Sequence, residues 1–175
     1  MSTRSYICIE EKDGTYKGSY CHSDGYLTYN GAMLIDHYQD RDKVEKLISY
    51  GDMSSLCENV DPNPNKPHSF DDRQDDVTVF YGRDRGEKNT EARTVKLEDI
   101  NSPDSWIEHC YIYGLDNKWK YFECGKLDEG LKDLEESLNK EYEDMGFKRV
   151  PGYYGFYTST DIEIMRNNQD AEAEM

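Results

Sequence analysis

The chain has 175 residues and carries 37 Asp and Glu against 21 Lys and Arg, a formal net charge of −16. A surface so acidic repels nucleic acid and anionic lipid and attracts basic protein surfaces. No apolar run approaches the roughly 20 residues that span a bilayer, and the opening MSTRSYICIE lacks the apolar stretch of a secretory signal.

Apolar residues make up only 35%, yet aromatics reach 13% with 15 Tyr, a content that disordered chains lack. Tyrosine supplies burial area and a hydroxyl, so it suits a modest core with a wet rim. The cysteines, Cys8, Cys21, Cys57, Cys110 and Cys124, are odd in number and show no C-x-x-C spacing. They read as small buried hydrophobes of a reducing cytoplasm. Neither disulfides, metal nor cofactor is expected.

In chain order, Ser5 to Glu10 alternates, with Ile7 and Ile9 on one face and Tyr6 and Cys8 on the other. Asp13-Gly14 is a turn signal, and Thr15 to Cys21 returns as a second strand. After the loop His22-Ser-Asp-Gly-Tyr26, a helix is predicted over 28–38. Asp40 caps a second, with Val44, Leu47 and Ile48 spaced i, i+3, i+4 and Gly51 suited to the left-handed stop. Ser54 to Cys57 reads as a short turn, and the Pro- and Asp-rich stretch 61–76 as an irregular loop. Val77 to Tyr81 reads as a strand, Gly82-Arg-Asp-Arg-Gly86 as a charged loop, and Arg93 to Leu97 as a further strand. A second hairpin pairs 106–113 with 118–124 across Leu115-Asp-Asn117, Trp119 and Tyr121 sharing one face.

The strongest periodicity follows. Leu127, Leu131, Leu134, Leu138, Tyr142 and Met145 fall on one helical face, ended by Gly146. The other faces carry Asp128, Glu129, Asp133, Glu135, Glu136, Glu141, Glu143 and Asp144 against Lys132 and Lys140, a net −6 across 127–145. Beyond it, 150–157 is rich in Tyr and Gly, Thr158 to Met165 reads as a last strand or helical turn, and Asn167 onward as a polar tail. The predicted fold is α+β: an antiparallel sheet of five or six strands, two short helices and a long acidic C-terminal helix. Residues 1–125 form the mixed domain, 126–147 the helix packed on it, and 148–175 an appended segment.

Three stretches carry a resemblance: Ser2-Thr-Arg-Ser-Tyr-Ile7, Tyr20-Cys-His-Ser-Asp-Gly-Tyr26 and Tyr81-Gly-Arg-Asp-Arg-Gly-Glu87. Across roughly residues 2–124 the chain resembles small proteins carried by phages and mobile elements of Gram-positive bacteria. The resemblance implies an anti-CRISPR protein acting on Cas9 in the cytoplasm of the host cell. It assigns no role to His22, Asp24, Gly25, Tyr26, Arg83, Asp84 or Arg85, and it does not reach the acidic helix.

A Cas9-type nuclease holds its guide heteroduplex in a positively charged channel, and carboxylates can stand there in place of phosphates. The expected partner is therefore a basic nucleic-acid-binding protein, Cas9 with its guide RNA foremost, engaged without direct binding of nucleic acid. The acids of the helix and Asp71, Asp72, Asp75 and Asp76 are the expected contacts, with Tyr153, Tyr154 and Tyr157 as aromatic anchors. The alternative is a small enzyme acting on a nucleotide or a host protein through His22 and Asp24, or through Cys21-His22 or His109-Cys110. A third reading is a phage protein that self-associates. Gly82 to Gly86 lacks the P-loop pattern, and 71–76 lacks the glycine and terminal glutamate of a calcium loop.

Overall fold

The computed structural model describes residues 2–174. Its centre is the two predicted hairpins. β1 (Ser5–Glu10) and β2 (Tyr16–Cys21) pair antiparallel. A π-helix (Leu27–Gly31) runs straight into α1 (Ala32–His37) where one helix was expected, and α2 (Arg41–Ser49) follows, its amide at Asp42 capped by the Asp40 carboxylate. Ser54 lies in β3 (Met53–Ser55) rather than in a turn, because Met53 pairs with both Cys21 and Phe80. β4 keeps only Val79–Phe80 of its predicted strand.

The expected charged loop is a helical turn, α3 (Tyr81–Arg85), closed by Gly86 at φ +72. β5 (Arg93–Val95) gives way to a short α4 (Leu97–Ile100). The second hairpin is β6 (His109–Tyr113) with β7 (Trp119–Glu123). Its first arm starts late, since a 3-10 turn at Pro103–Ser105 closes on Trp106 in the left-handed region at φ +62.

The sheet is mixed rather than antiparallel. Its order is β4-β3-β2-β1-β6-β7-β8, with β5 on the free part of β2. The first strands of the two hairpins lie side by side and parallel, Ser5 opposite His109 through Ile9 opposite Tyr113. A parallel neighbour needs a long crossover, and the whole of 11–108 supplies it. Both faces of the sheet are covered. Ile7, Ile9, Tyr111, Tyr113, Trp119 and Tyr121 face α1, α2 and the C-terminal helices, while Tyr6, Cys8, Cys110, Ile112 and Phe122 pack under Leu97, Ile100 and Ile107.

The long acidic helix begins later than the leucine spacing predicts. Leu127 belongs to a 3-10 turn that carries Asp128 and Glu129, and Gly130 at φ +87 ends it. β8 (Lys132–Asp133) then pairs with β7, and Asp133 caps α5 (Leu134–Met145) by accepting from the Glu136 amide. Leu131 stands 37% exposed, whereas Leu134, Leu138 and Tyr142 are buried. Full burial of each such side chain is worth about 1.5–3 kcal/mol. Gly146 takes φ +85 as predicted.

Helix α6 (Ser159–Ala173), started by a Thr158–Asp161 capping box, takes in both the stretch expected as a strand or helical turn and most of the expected polar tail. None of its residues is buried. Ile162 and Met165 rest against the core, Arg166 donates to the Met145 carbonyl, and Gln169 bonds both backbone groups of Lys148.

Candidate functional site: an acidic and aromatic surface over the helical layer

The loop 20–26 is a structural knot. His22 Nδ1 shares a 2.6 Å hydrogen bond with the Tyr20 hydroxyl. Asp24 sits at φ +55, its carbonyl accepts from the Asn30 amide, and its carboxylate faces the Tyr26 hydroxyl at 3.4 Å. Gly25 passes so close to the N-terminal strand that a Cβ there would lie 2.8 Å from Ser5 Cβ and 2.9 Å from the Thr3 carbonyl. Tyr111 donates its hydroxyl to the Gly25 carbonyl at 2.6 Å. Gly25 thereby seats the loop against β1 and β6, while His22 is tied to Tyr20 and Met53, and Asp24 and Tyr26 bond each other and the π-helix.

The nucleophile–base pairs considered from sequence do not face each other. Cys21 points into the core, where Asn30 Nδ2 donates to its sulfur and to Ser5 Oγ. Burial pushes the Cys21 thiol up to about 12, so it stays protonated at neutral pH. Cys110 turns away from His109 toward Cys8, with sulfurs 3.9 Å apart, and burial raises its thiol as well. The sheet register adds an arrangement that local sequence did not reveal: Cys21, Ser5, His109 and Glu123 form one row across four strands. Ser5 in this row is fully buried, and burial lowers the pKa of His109. Among the described residues no group of three or more His, Cys, Asp or Glu is placed to hold a metal ion.

The second motif builds a platform for the 61–76 loop. Arg83 donates to the Val60 carbonyl at 2.7 Å, the Thr78 carbonyl at 2.9 Å and Asp84 Oδ1 at 2.9 Å. Asp84 Oδ2 accepts from the Phe80 amide and lies 3.3 Å from His68 Nε2. His68 Nδ1 accepts from the Gln74 amide, which leaves the ring proton on Nε2, facing that carboxylate. Burial pushes the Asp84 pKa up, but Arg83, the Phe80 amide and His68 together hold it below the usual carboxylate range. Gln74 then ties Asn63 and Lys66 together. Arg85 lies over the rings of Phe70 and Tyr81 and pairs with Glu87. Arg83, Asp84 and Arg85 are thus spent internally. Asp71, Asp72, Asp75 and Asp76 project outward, all exposed.

On α5, Glu135, Glu136, Glu143 and Asp144 are exposed, as are Asp128, Glu129 and Asp133 just before it. Glu141 is half-buried. Burial first, then the charges of Glu123 and Asp144, raise its pKa. Among the described residues no ion pair engages any of these acids, nor any of the four at 71–76. The first turn of a helix favours acids and its last turn disfavours them. Glu143 and Asp144 nevertheless occupy the last turn, which contains no basic residue.

The Tyr- and Gly-rich segment folds back over the π-helix. Thr28 Oγ1 donates to the Gly155 carbonyl at 2.6 Å, and Gly155 returns a bond to the Thr28 carbonyl. Arg149 grips Asp36 with two bonds of 2.7 and 2.8 Å, and the Tyr154 hydroxyl donates to the same carboxylate. Burial raises the Asp36 pKa, but Arg149 and Tyr154 outweigh it, so the group is held low. Tyr153 is exposed, Tyr154 half-buried, and Tyr157 buried against Tyr142 and Phe147. Tyr157 is therefore a core residue, and the exposed ring next to it in sequence is Phe156.

Cys57 stands between Tyr29 of the π-helix and the 71–76 loop. Burial raises this thiol, the Tyr29 hydroxyl lowers it by a hydrogen bond, and Asp76 and Arg73 act on it by charge. α5 joins the aromatic segment through the Tyr142–Tyr157 hydroxyl pair and joins α6 through the Met145–Arg166 bond. Compared with protein-family models, curated proteins and solved structures, the chain finds no match in any of the three.

Proposed function

We propose that this chain is a non-enzymatic inhibitor that binds the basic surface of a nucleic-acid-handling protein. The leading target is a Cas9-type nuclease with its guide RNA, met in the cytoplasm of a bacterial host. One observation carries the reading: the acids of α5 and of 71–76 take no part in the ion pairs found among the described residues. Two of them, Glu143 and Asp144, sit where the helix dipole makes an acid cost about 0.3–1 kcal/mol. Charge that folding neither pairs nor favours is accounted for by a cationic partner. Binding would release the counterions condensed on both surfaces, so affinity would fall steeply with salt.

The test is cleavage of duplex DNA by guide-loaded Cas9 in the presence of the wild-type protein and of the Glu143→Lys/Asp144→Lys variant, with affinity measured at several salt concentrations. Wild type is expected to suppress cleavage. The variant is expected to bind about tenfold or more weakly, with a flatter salt dependence. Undiminished cleavage under a large excess of protein would overturn the Cas9 target. Unchanged affinity and slope in the variant would overturn the role of the helix end.

A further inference from the structure

Five rings run edge to face along the surface where the C-terminal segment crosses the π-helix. Phe156 meets Tyr26 at 5.9 Å between centroids, Tyr26 meets Tyr29 at 6.3 Å, Tyr29 meets Tyr154 at 6.2 Å, and Tyr154 meets His37 at 6.0 Å. Phe156 ends the ladder and is 75% exposed. It is also held in place: before it, Gly155 is bonded twice to Thr28, and after it, Tyr157 is buried against Tyr142 and Phe147. An exposed phenylalanine fixed from both sides is already ordered for contact, which lowers the entropy lost on binding.

The rest of the molecule shows what such rings are paired with. Arg83 lies over Phe80 at 4.7 Å and over Tyr50 at 5.0 Å, with Asp84 as its carboxylate. Arg85 lies over Phe70 at 4.4 Å and over Tyr81 at 4.9 Å, with Glu87 as its carboxylate. Each is a guanidinium placed on aromatic faces and closed by an acid. The ladder repeats the rings and the acid: Tyr26 bonds Asp24, and Glu58 stands 3.6 Å from His37 at the other end. Among the described residues, no cation lies over Phe156, Tyr26, Tyr29 or Tyr154. Asp24 takes part in none of the ion pairs found among them.

We propose that the Phe156–Tyr26–Tyr29 ladder receives an arginine side chain from a segment of the protein partner, stacked on the rings and paired with Asp24. Arginine fits better than lysine, because its planar guanidinium stacks on aromatic faces and keeps its donors free for a carboxylate. A second copy of this chain fits poorly, since it would bring another −16 to the surface. The proposal deepens the reading of the protein as a binder of basic surfaces and rests on it.

The experiment measures binding of two decapeptides, one alternating arginine with serine and the other lysine with serine. The proteins are wild type, Phe156→Leu and Glu143→Lys/Asp144→Lys, each first checked by thermal melting. Wild type is expected to favour the arginine peptide by about tenfold. Phe156→Leu removes the ring but no charge, so the preference should vanish while the salt slope stays. The double lysine variant should lose affinity for both peptides and keep the preference. Equal binding of the two peptides by wild type, or a preference that survives Phe156→Leu, would overturn the ladder as an arginine site. Loss of affinity in the double lysine variant with no arginine preference would leave the acidic-surface reading standing alone.

Discussion

The two ends of α5 carry the same charge and meet opposite physics. At the start, Asp133 caps the Glu136 amide at 2.9 Å, and Glu135 and Glu136 face the positive end of the helix dipole. Acids there strengthen the fold whether or not a partner exists. At the far end, Glu143 and Asp144 face the negative end, and Glu141 is pressed half-buried toward Glu123. An acidic residue argues for binding only where folding gains nothing from it, so the second group carries the functional argument. The loop acids at 71–76 lie between these cases: Ser69 holds the backbone of Asp72 and Asn59 that of Asp76, while the carboxylates join none of the ion pairs among the described residues.

The largest expected effect removes the platform under both ends. Leu138→Ala should cost about 2–5 kcal/mol in denaturant unfolding, since the side chain is fully buried and leaves a cavity. Leu131→Ala, equivalent to it on the leucine stripe, should cost under about 1 kcal/mol, because Leu131 precedes the helix and is partly exposed. Equal losses would show that α5 extends back to Leu127 in solution. Next in size is the cap. Asp133→Ala should destabilise by about 0.5–2 kcal/mol through loss of the Glu136 bond, with little change in partner affinity if the far end is the contact.

These contrasts also mark what local sequence can encode. The alternation of Ile7 and Ile9 against Tyr6 and Cys8 does separate the two cores, and Asp40, Gly51 and Gly146 do punctuate α2 and α5. Such signals act within a few residues. The parallel pairing of β1 with β6 depends on contacts a hundred residues apart, and β4 and β8 are two residues long, too short for any period. The break at Gly130 was hidden because Leu127 and Leu131 happen to continue the stripe of Leu134 and Leu138. The length of α6 beyond the turn expected at 158–165 is hidden for the opposite reason: the helix buries no residue and is held by its capping box, Arg166 and Gln169. At the site, the acids were legible as composition. The ring ladder was not, because Phe156 comes to Tyr26 and Tyr29 at the π-helix from the far C-terminal segment.

Reversal of the far-end acids gives a smaller effect of unusual sign. Glu143→Lys and Asp144→Lys should each stabilise the fold by up to about 0.3–1 kcal/mol by placing cations at the helix C-terminus. The melting temperature should therefore rise while partner affinity falls. Glu135→Lys and Glu136→Lys should lower it by similar amounts for the same reason reversed. A common response at both ends would remove the distinction between acids that fold the helix and acids that serve a partner.

The smallest prediction concerns Glu141 and is read from pH. Burial, with Glu123 and Asp144 adding to it, raises its folded pKa. A raised carboxyl binds its proton more tightly folded than unfolded. Its favourable contribution is complete below the unfolded value of about 4.3 and is lost as pH rises through the higher folded value. Glu141→Gln, which stays neutral throughout, should therefore be slightly more stable than wild type at pH 7, by about 0.2–0.5 kcal/mol. The gap should close as pH falls toward 4. Asp36 and Asp84 behave the other way: both are held low, so their contribution is complete above about 3.9 and disappears as pH falls through their folded values. That loss is common to both proteins and cancels in the difference. A gap that stays constant from pH 4 to pH 7 would show that Glu141 is solvated like its exposed neighbours and that the far end of α5 carries no buried charge.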